Sequence, residues 1–327
     1  MFKDSTIFVT GGTGSFGKKF VQMTLEKFSP KRIIIYSRDE IKQWEMAEEF
    51  GHDHRISFVI GDIRDIERLK SQLKSVDFVV HAAATKIVPT AEYNPEECVK
   101  TNINGAINLI KCCTENKIKK VVALSTDKAC NPVNLYGATK LASDKIFIAA
   151  NSVEKNKHCS FSIVRYGNVI GSRGSVVPFF AEKVLNNEEI PITDKRMTRF
   201  MITLEQAVEA VWHAFSDMLG GEIYVRKIPS MSILDIATSV SETSKIKVIG
   251  IRPGEKLHEQ MISQDDSFNT YEYENYYKIL PTLNLWNKDP DRVKDGKIVD
   301  EGFSYSSESN NEWMSIGELQ GWIDRNL

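Results

Sequence analysis

Residues 10–17 read "TGGTGSFG", with Gly11, Gly14 and Gly17 in a G-x-x-G-x-x-G spacing. The turn closes a short β-rich run, "TIFVT" (6–10), and opens a segment with helical character at 15–28, where Phe16, Phe20, Met23 and Leu25 supply apolar positions. A glycine turn between a strand and a helix suits a phosphate. Glycine permits the tight turn and the close backbone approach, and the helix N-terminus offers free N–H groups and positive potential. An ordinary glycine turn is the alternative, and the spacing alone would be weak. The alternation of strands and helices beyond the turn strengthens the phosphate reading.

Strand-like runs at 32–36, 56–60, 77–83, 120–125 and 161–166 alternate with helix-like segments at 39–50, 66–74, 95–116 and 135–151. Short apolar strands without strict alternation, separated by helices, predict a parallel sheet covered on both faces. The predicted fold is a doubly wound α/β (Rossmann) domain over residues 1–165. Beyond residue 166 the rhythm changes: "GNVIGSRGSVVPFF" is followed by a helix, a basic stretch "DKRMTRF" and a helix at 204–219. Residues 166–327 are predicted to form a smaller, mainly substrate-binding lobe. Segments around 200–225, including the strand "EIYV" (222–225), either return to the first domain or pair locally. The two helices at 95–116 and 135–151 offer a helix-paired face for a homo-oligomer, although buried core helices would read the same.

The chain has 327 residues, 42% hydrophobic and 26% charged, with formal net charge −2. That is enough for a large core, and nothing in the charge balance points to nucleic acid or an anionic membrane. Cys98, Cys112, Cys113, Cys130 and Cys159 form no C-x-x-C pair and have no histidine cluster beside them, so neither a metal site nor a disulfide framework is expected. Reduced thiols, no signal-peptide pattern and no long apolar run predict a cytoplasmic protein without a membrane span.

The second strand ends Tyr36-Ser37-Arg38, with no acid before Asp39. An acid there would hold the free ribose hydroxyls of NAD. Arg38, with Ser37 and Lys42, instead suits the 2′-phosphate of NADP; a solvated surface arginine is the plainer reading. Thr13, Ser15 and Phe16 in the turn join its glycines as cofactor contacts. Asp62 and Ile63 in "GDIRD" would lie at the adenine edge, and Ala82 in "HAAA" would let the cofactor pass close.

"STDKACNPVNLYGATK" (125–140) carries Tyr136 and Lys140 four residues apart. On a helix they share a face. A nearby ammonium favours the phenolate, which makes Tyr136 a general base for a substrate hydroxyl, and Thr126 could bond the same hydroxyl. Asp127 and Lys128 are an acid and a base side by side at a strand end. Spacing alone leaves them divided between catalysis and a structural ion pair.

With these residues in place, the chain resembles the extended short-chain dehydrogenase/reductases and, more closely, their inverting UDP-N-acetylglucosamine 4,6-dehydratases. "TGGTGSFGKKF", "YSRDEIKQWEMAEEF", "AEYNPEECVKTNINGAINLI", "ALSTDKACNPVNLYGATKLASDK", "RYGNVIGSRGSVVPFF", "ITDKRMTRFMIT" and "GIRPGEKLHE" carry the resemblance from about residue 5 to beyond 300. It departs at "HAAATKIVP", where Thr85 and Ile87 flank Lys86 in place of the usual leucine and histidine. The resemblance implies that Tyr136 deprotonates the 4-hydroxyl as hydride leaves carbon 4 for NADP. Lys128 then takes the carbon 5 proton, Asp127 protonates the departing 6-hydroxyl, hydride returns to carbon 6, and carbon 5 is inverted. The cofactor is regenerated each cycle and so tightly held. Burial and the nicotinamide charge are expected to lower the Lys128 pKa. For the UDP-sugar, the resemblance implies Lys86, Asn168, Arg173, Gly174, Ser175, Val176, Arg252 and Glu255. Arg199 is a further candidate in a segment that could equally be a basic surface turn, and His258 would otherwise read as packed or solvated. A UDP-hexose 4-epimerase on the same fold, or a cofactor-binding protein without turnover, are the rival readings.

Overall fold

In a computed structural model, residues 1–153 and 158–326 are described. The first half runs β1 (Thr6–Thr10), α1 (Ser15–Lys27), β2 (Arg32–Ser37), α2 (Glu40–Glu49), β3 (Ile56–Ile60), α3 (Ile66–Gln72), β4 (Phe78–His81), α4 (Val88–Tyr93), α5 (Pro95–Val99), α6 (Gly105–Glu115), β5 (Lys120–Thr126), α7 (Leu135–Ala150) and β6 (Ser160–Tyr166). It continues with β7 (Asn168–Val169), α8 (Val176–Leu185), β8 (Ile190–Ile192), β9 (Thr198–Ile202), α9 (Leu204–Asp217) and β10 (Ile223–Arg226).

The sheet order β3-β2-β1-β4-β5-β6-β10 is parallel throughout. The apolar strands are buried on both faces: every residue of β2 after Arg32 is buried, as a sheet sandwiched between helix layers requires. The chain reverses its direction of travel across the sheet between β1 and β4, and a crevice opens there beyond the strands' C-terminal ends. Gly11 marks that crevice. Its φ is +65°, and an added Cβ would lie 2.8 Å from the Ala83 backbone nitrogen, so only glycine lets the two strand ends meet this closely.

Of the two placements open to the strand at 222–225, the main sheet is the one taken: β10 lies beside β6. Two features differ from the sequence reading. Antiparallel strands Tyr276–Ile279, Thr270–Glu272 and Lys297–Ile298 extend the sheet beyond β10, in a stretch the sequence marked only as polar and aromatic. The helix expected over 95–116 is broken by a π-turn at Lys100–Asn104. That turn puts the Asn102 side chain, 2% exposed, in reach of the Thr85 N–H (2.9 Å), the Thr85 carbonyl (3.0 Å) and Thr139 Oγ1 (3.0 Å). Asn102 thereby fixes the loop after β4 through its backbone at Thr85.

The segments past residue 166 also build a core of their own. Ile170, Val177, Phe180, Ile192, Met197, Met231, Ile236 and Leu319 cluster there, separately from the clusters on the two faces of the main sheet. Among the described residues no helix is long and apolar enough to cross a membrane.

Candidate active site

Two adjoining cavities, of about 1020 and 490 Å³, lie at the C-terminal end of the parallel strands. Together they match the size of a bound small molecule and more. Val88, Lys128, Asn168, Ser175 and Arg252 line both and mark their junction. The larger is lined by the glycine turn, Ser37, Arg38, Lys42, Asp62, Ile63, Ala82, Lys86 and the Thr126–Tyr136–Lys140 group. The smaller is lined by Val176, Arg199 and Glu255, with Phe179, Pro191 and Ile192 as its apolar wall.

At the turn, Gly14 is the N-cap of α1 and supplies no side-chain cap, and the first turn carries no acid. Its N–H groups are thus left for an incoming anion. Ser37 Oγ accepts from Thr13 Oγ1 at 3.1 Å. Asp39 is already engaged: it caps α2 by accepting from the Lys42 N–H (3.0 Å) and pairs with Lys42 Nζ (2.7 Å). Lys42 is thus neutralised by Asp39. Arg38 is 62% exposed and reaches Asp62 only at 3.9 Å, while Arg64 holds Asp62 at 2.6 Å. Arg38 is the least committed cation at this edge.

β5 delivers Thr126 to the strand end, and a single 3₁₀ turn, Asp127–Ala129, comes next. Gly137, at the start of α7, has no room for a side chain: a Cβ would sit 2.1 Å from the Lys128 carbonyl oxygen. This contact seats α7 directly on the turn and brings Tyr136 beside Lys128. Asn134 caps the helix by accepting from the Gly137 N–H (2.7 Å) and donates to the Gly254 carbonyl (2.7 Å), tying the "RPGEK" loop to the site.

Asp127 Oδ1 accepts from Thr126 Oγ1 (2.9 Å) and Lys128 Nζ (3.0 Å). Burial raises the Asp127 pKa, Lys128 opposes it, Glu259 adds to it, and the net direction is upward. Lys128 departs from expectation. Burial pushes its pKa down, but Asp127 and Glu259 outweigh burial, so the group is held above the ordinary lysine range. Tyr136 departs too: burial pushes the phenol up to about 12, and the opposing cation is Lys128 rather than Lys140. Lys140 is buried and donates to the Leu124 carbonyl at 2.7 Å; burial lowers its pKa against Asp144.

In the second lobe, Ser175 is the N-cap of α8 without making a side-chain cap bond. Ser175 Oγ and Asn168 Oδ1 are buried without partners, polar atoms left for a ligand. Lys86 Nζ donates to the Arg173 carbonyl (3.2 Å), and the Arg173 N–H donates to Ser15 Oγ (3.1 Å). This loop therefore bridges the two cavities. Arg252 pairs with Glu255 at 2.8 Å on the rim. Arg199 points inward, donating to the carbonyls of Thr198 (2.7 Å), Leu257 (3.0 Å) and Lys256 (3.2 Å), so it is not a basic surface turn. His258 is neither packed apolar nor free: Nδ1 shares a hydrogen bond with Thr198 Oγ1 (2.8 Å), and Nε2 lies 3.1 Å from Glu308.

Sequence reasoning missed two residues here. His81 ends β4 with Nδ1 2.8 Å from Thr10 Oγ1, and burial, then Lys140, push its pKa down to about 3; it stands neutral at the crevice. Glu259 reaches Lys128 Nζ at 3.0 Å. Its only sequence signal was its place in "RPGEKLHE".

The model of the family described as "Polysaccharide biosynthesis protein" matches residues 7–281. A Campylobacter jejuni protein named UDP-N-acetylglucosamine 4,6-dehydratase (inverting) is 57% identical over 325 residues, 98% of this chain and 97% of that one. A Rickettsia bellii protein named UDP-glucose 4-epimerase is 40% identical over 85% of this chain and 84% of its own. The X-ray structure of Pen from Bacillus thuringiensis superposes with a TM-score of 0.92 at 36% identity over 100% of both chains. The chain belongs to the polysaccharide biosynthesis protein family and, within it, to the inverting UDP-N-acetylglucosamine 4,6-dehydratases of the short-chain dehydrogenase/reductase fold.

Proposed function

We infer that the protein converts UDP-N-acetylglucosamine to a UDP-4-keto-6-deoxy-hexosamine inverted at carbon 5, with a tightly held nicotinamide dinucleotide in the larger cavity and the sugar nucleotide in the smaller. The observation that carries this is the buried Asp127 paired with the part-buried Lys128, which faces the cavity junction beside Tyr136. A 4-epimerase needs Tyr136, Lys140 and Thr126 but has no work for an extra acid and base.

The uncapped turn at Gly14, and the space that the absent Cβ of Gly11 leaves between the strand ends, fit a dinucleotide pyrophosphate. Bound there, the dinucleotide supplies a hydride acceptor that later returns the hydride. Tyr136 takes the proton of the 4-hydroxyl, its phenolate favoured by the Lys128 charge. The ketone at carbon 4 then acidifies the carbon 5 hydrogen. Lys128 begins as an ammonium and Asp127 as a carboxylate. One proton moving across their 3.0 Å hydrogen bond makes Lys128 a neutral base and Asp127 an acid together, with no change in net charge. Lys128 removes the carbon 5 proton, the carbon 6–oxygen bond breaks, and Asp127 gives its proton to the leaving hydroxyl as water. A proton added to the opposite face of carbon 5 completes the inversion. The orphaned Asn168 and Ser175 oxygens, the α8 N-terminus and Arg252 suit a diphosphate and sugar.

NADP is the preferred dinucleotide, because Asp39 is engaged by Lys42 and Arg38 is free to meet a 2′-phosphate. Arg38→Asp should weaken NADP more than NAD, by about 1.5–3 kcal/mol; equal weakening removes Arg38 from that role. Five free, buried cysteines suit a reducing cytoplasm. Assembly as a homo-oligomer is part of the same reading, tested by sedimentation. The activity itself is tested by NMR with UDP-N-acetylglucosamine. A new carbon 6 methyl signal with inverted carbon 5 is expected; an exchange of carbon 4 configuration with no methyl would establish the epimerase instead.

A further inference from the structure

Glu259 is not among the groups that exchange protons with the sugar. It is 2% exposed, and its backbone is pinned on both sides by Ser307: the Glu259 N–H donates to Ser307 Oγ (2.9 Å), and the Ser307 N–H donates to the Glu259 carbonyl (2.8 Å). The side chain is thereby aimed at the junction of the cavities. There Oε1 lies 3.0 Å from Lys128 Nζ, with Arg199 Nε 4.0 Å away. Oε2 is buried and has no partner. The Lys128 amine thus sits between two carboxylates, Asp127 from the strand end and Glu259 from the other lobe.

We propose that Glu259 is a positioning residue for the elimination: its fixed carboxylate holds the Lys128 amine toward carbon 5. In that step the carbon 5–hydrogen bond breaks and its proton joins the neutral Lys128 amine. The electron pair forms the carbon 5–carbon 6 double bond, and the 6-oxygen leaves with the proton of Asp127. Positive charge grows on Lys128 as Asp127 regains its negative charge. The Glu259 carboxylate already stands 3.0 Å from the ammonium of the resting pair, so what it contributes to the step is the placement of the amine, whose misplacement by ~1 Å would cost about 10²-fold. The unpartnered Oε2 distinguishes this glutamate from one that merely ties the lobes together, since a structural tie would be expected to satisfy both oxygens.

The proposal rests on the dehydratase reading and is tested with the full chain loaded with cofactor. Glu259→Gln keeps the shape and removes the charge. Its kcat should fall about 10²-fold with KM for the sugar nucleotide unchanged, while oxidation at carbon 4, followed by cofactor absorbance, survives. The charged and titratable groups facing Lys128 are Asp127, Glu259, Arg199 and Tyr136. Removing one negative neighbour loosens the proton shared by Asp127 and Lys128, so the alkaline limb of the rate profile should move to lower pH. Glu259→Asp, which keeps the charge, should restore that limb. In a Lys128→Ala background, Glu259→Gln should cost nothing further. Wild-type kcat and pH limbs in Glu259→Gln, equal loss of carbon 4 oxidation and carbon 5 exchange, or an additive loss in the double variant would each overturn the proposal. A wild-type protein that makes no 4-keto-6-deoxy sugar would instead defeat the dehydratase reading itself.

Discussion

Two of the buried-charge clusters among the described residues are finished differently. At the outer part of the sheet, Asp217 accepts from Lys278 Nζ (2.7 Å) and Tyr224 Oη (2.8 Å) and pairs with Lys294. Beside it, Glu222 accepts from Arg292 (2.5 Å), Ser162 Oγ (2.6 Å) and the Gly220 N–H (2.8 Å). Every carboxylate oxygen there is occupied. At the cavity junction, Asp127 and Glu259 are equally buried, yet Asp127 Oδ2 and Glu259 Oε2 have no partner. Buried polar groups in a finished structure are normally satisfied. Open valences on charged groups in a cleft mark a place kept for a ligand and for proton transfer. The first cluster serves the fold; the second is incomplete without substrate.

The contrast can be broken at either end. Asp127→Asn should have the largest effect on rate. It removes both the acid for the leaving hydroxyl and the carboxylate that takes the Lys128 proton, so methyl formation should fall ~10²–10⁴-fold and carbon 5 exchange should fall with it. A variant that forms the methyl normally would make the Asp127–Lys128 pair as structural as the outer cluster. Lys278→Met should do the reverse. Lys278 is 1% exposed, and its loss strips a buried partner from Asp217, at a cost of about 3–5 kcal/mol in denaturant-measured stability. Activity per folded molecule should be unchanged; a loss of turnover in the folded fraction would mean the two clusters are not separate in role.

Much of this was legible in the sequence because it is local. The glycine turn, the apolar parallel strands and the shared helix of Tyr136 and Lys140 each depend on residues a few positions apart, although the cation acting on Tyr136 is Lys128 rather than Lys140. The strands at 270–279 were not legible: they are short and mixed in polarity, and they become buried only by pairing with β10. The π-turn that aims Asn102 at Thr85 interrupts a helix whose sequence reads as continuous. The charge state of Lys128 was misjudged for the same reason. Burial and the nicotinamide charge predict a lowered pKa, and in the folded chain Asp127, joined by the sequence-distant Glu259, reverses the sign. The surface-turn reading of Arg199 fails likewise, because the loop of Lys256 and Leu257 that covers it is distant in sequence.

The most direct measurement is on Lys128→Ala mixed with UDP-N-acetylglucosamine in deuterated solvent. Tyr136 and the cofactor turn remain but the Lys128 charge that favours the phenolate is lost, so carbon 4 oxidation should be slower than in the wild type and still detectable by cofactor absorbance at raised pH. Carbon 5 should take up no deuterium and no carbon 6 methyl should form, a loss of ~10²–10⁴-fold. Exchange at carbon 5 and methyl formation at near wild-type rates would instead make Lys128 a structural ion-pair partner of Asp127, and the chemistry assigned to the cavity junction would be wrong.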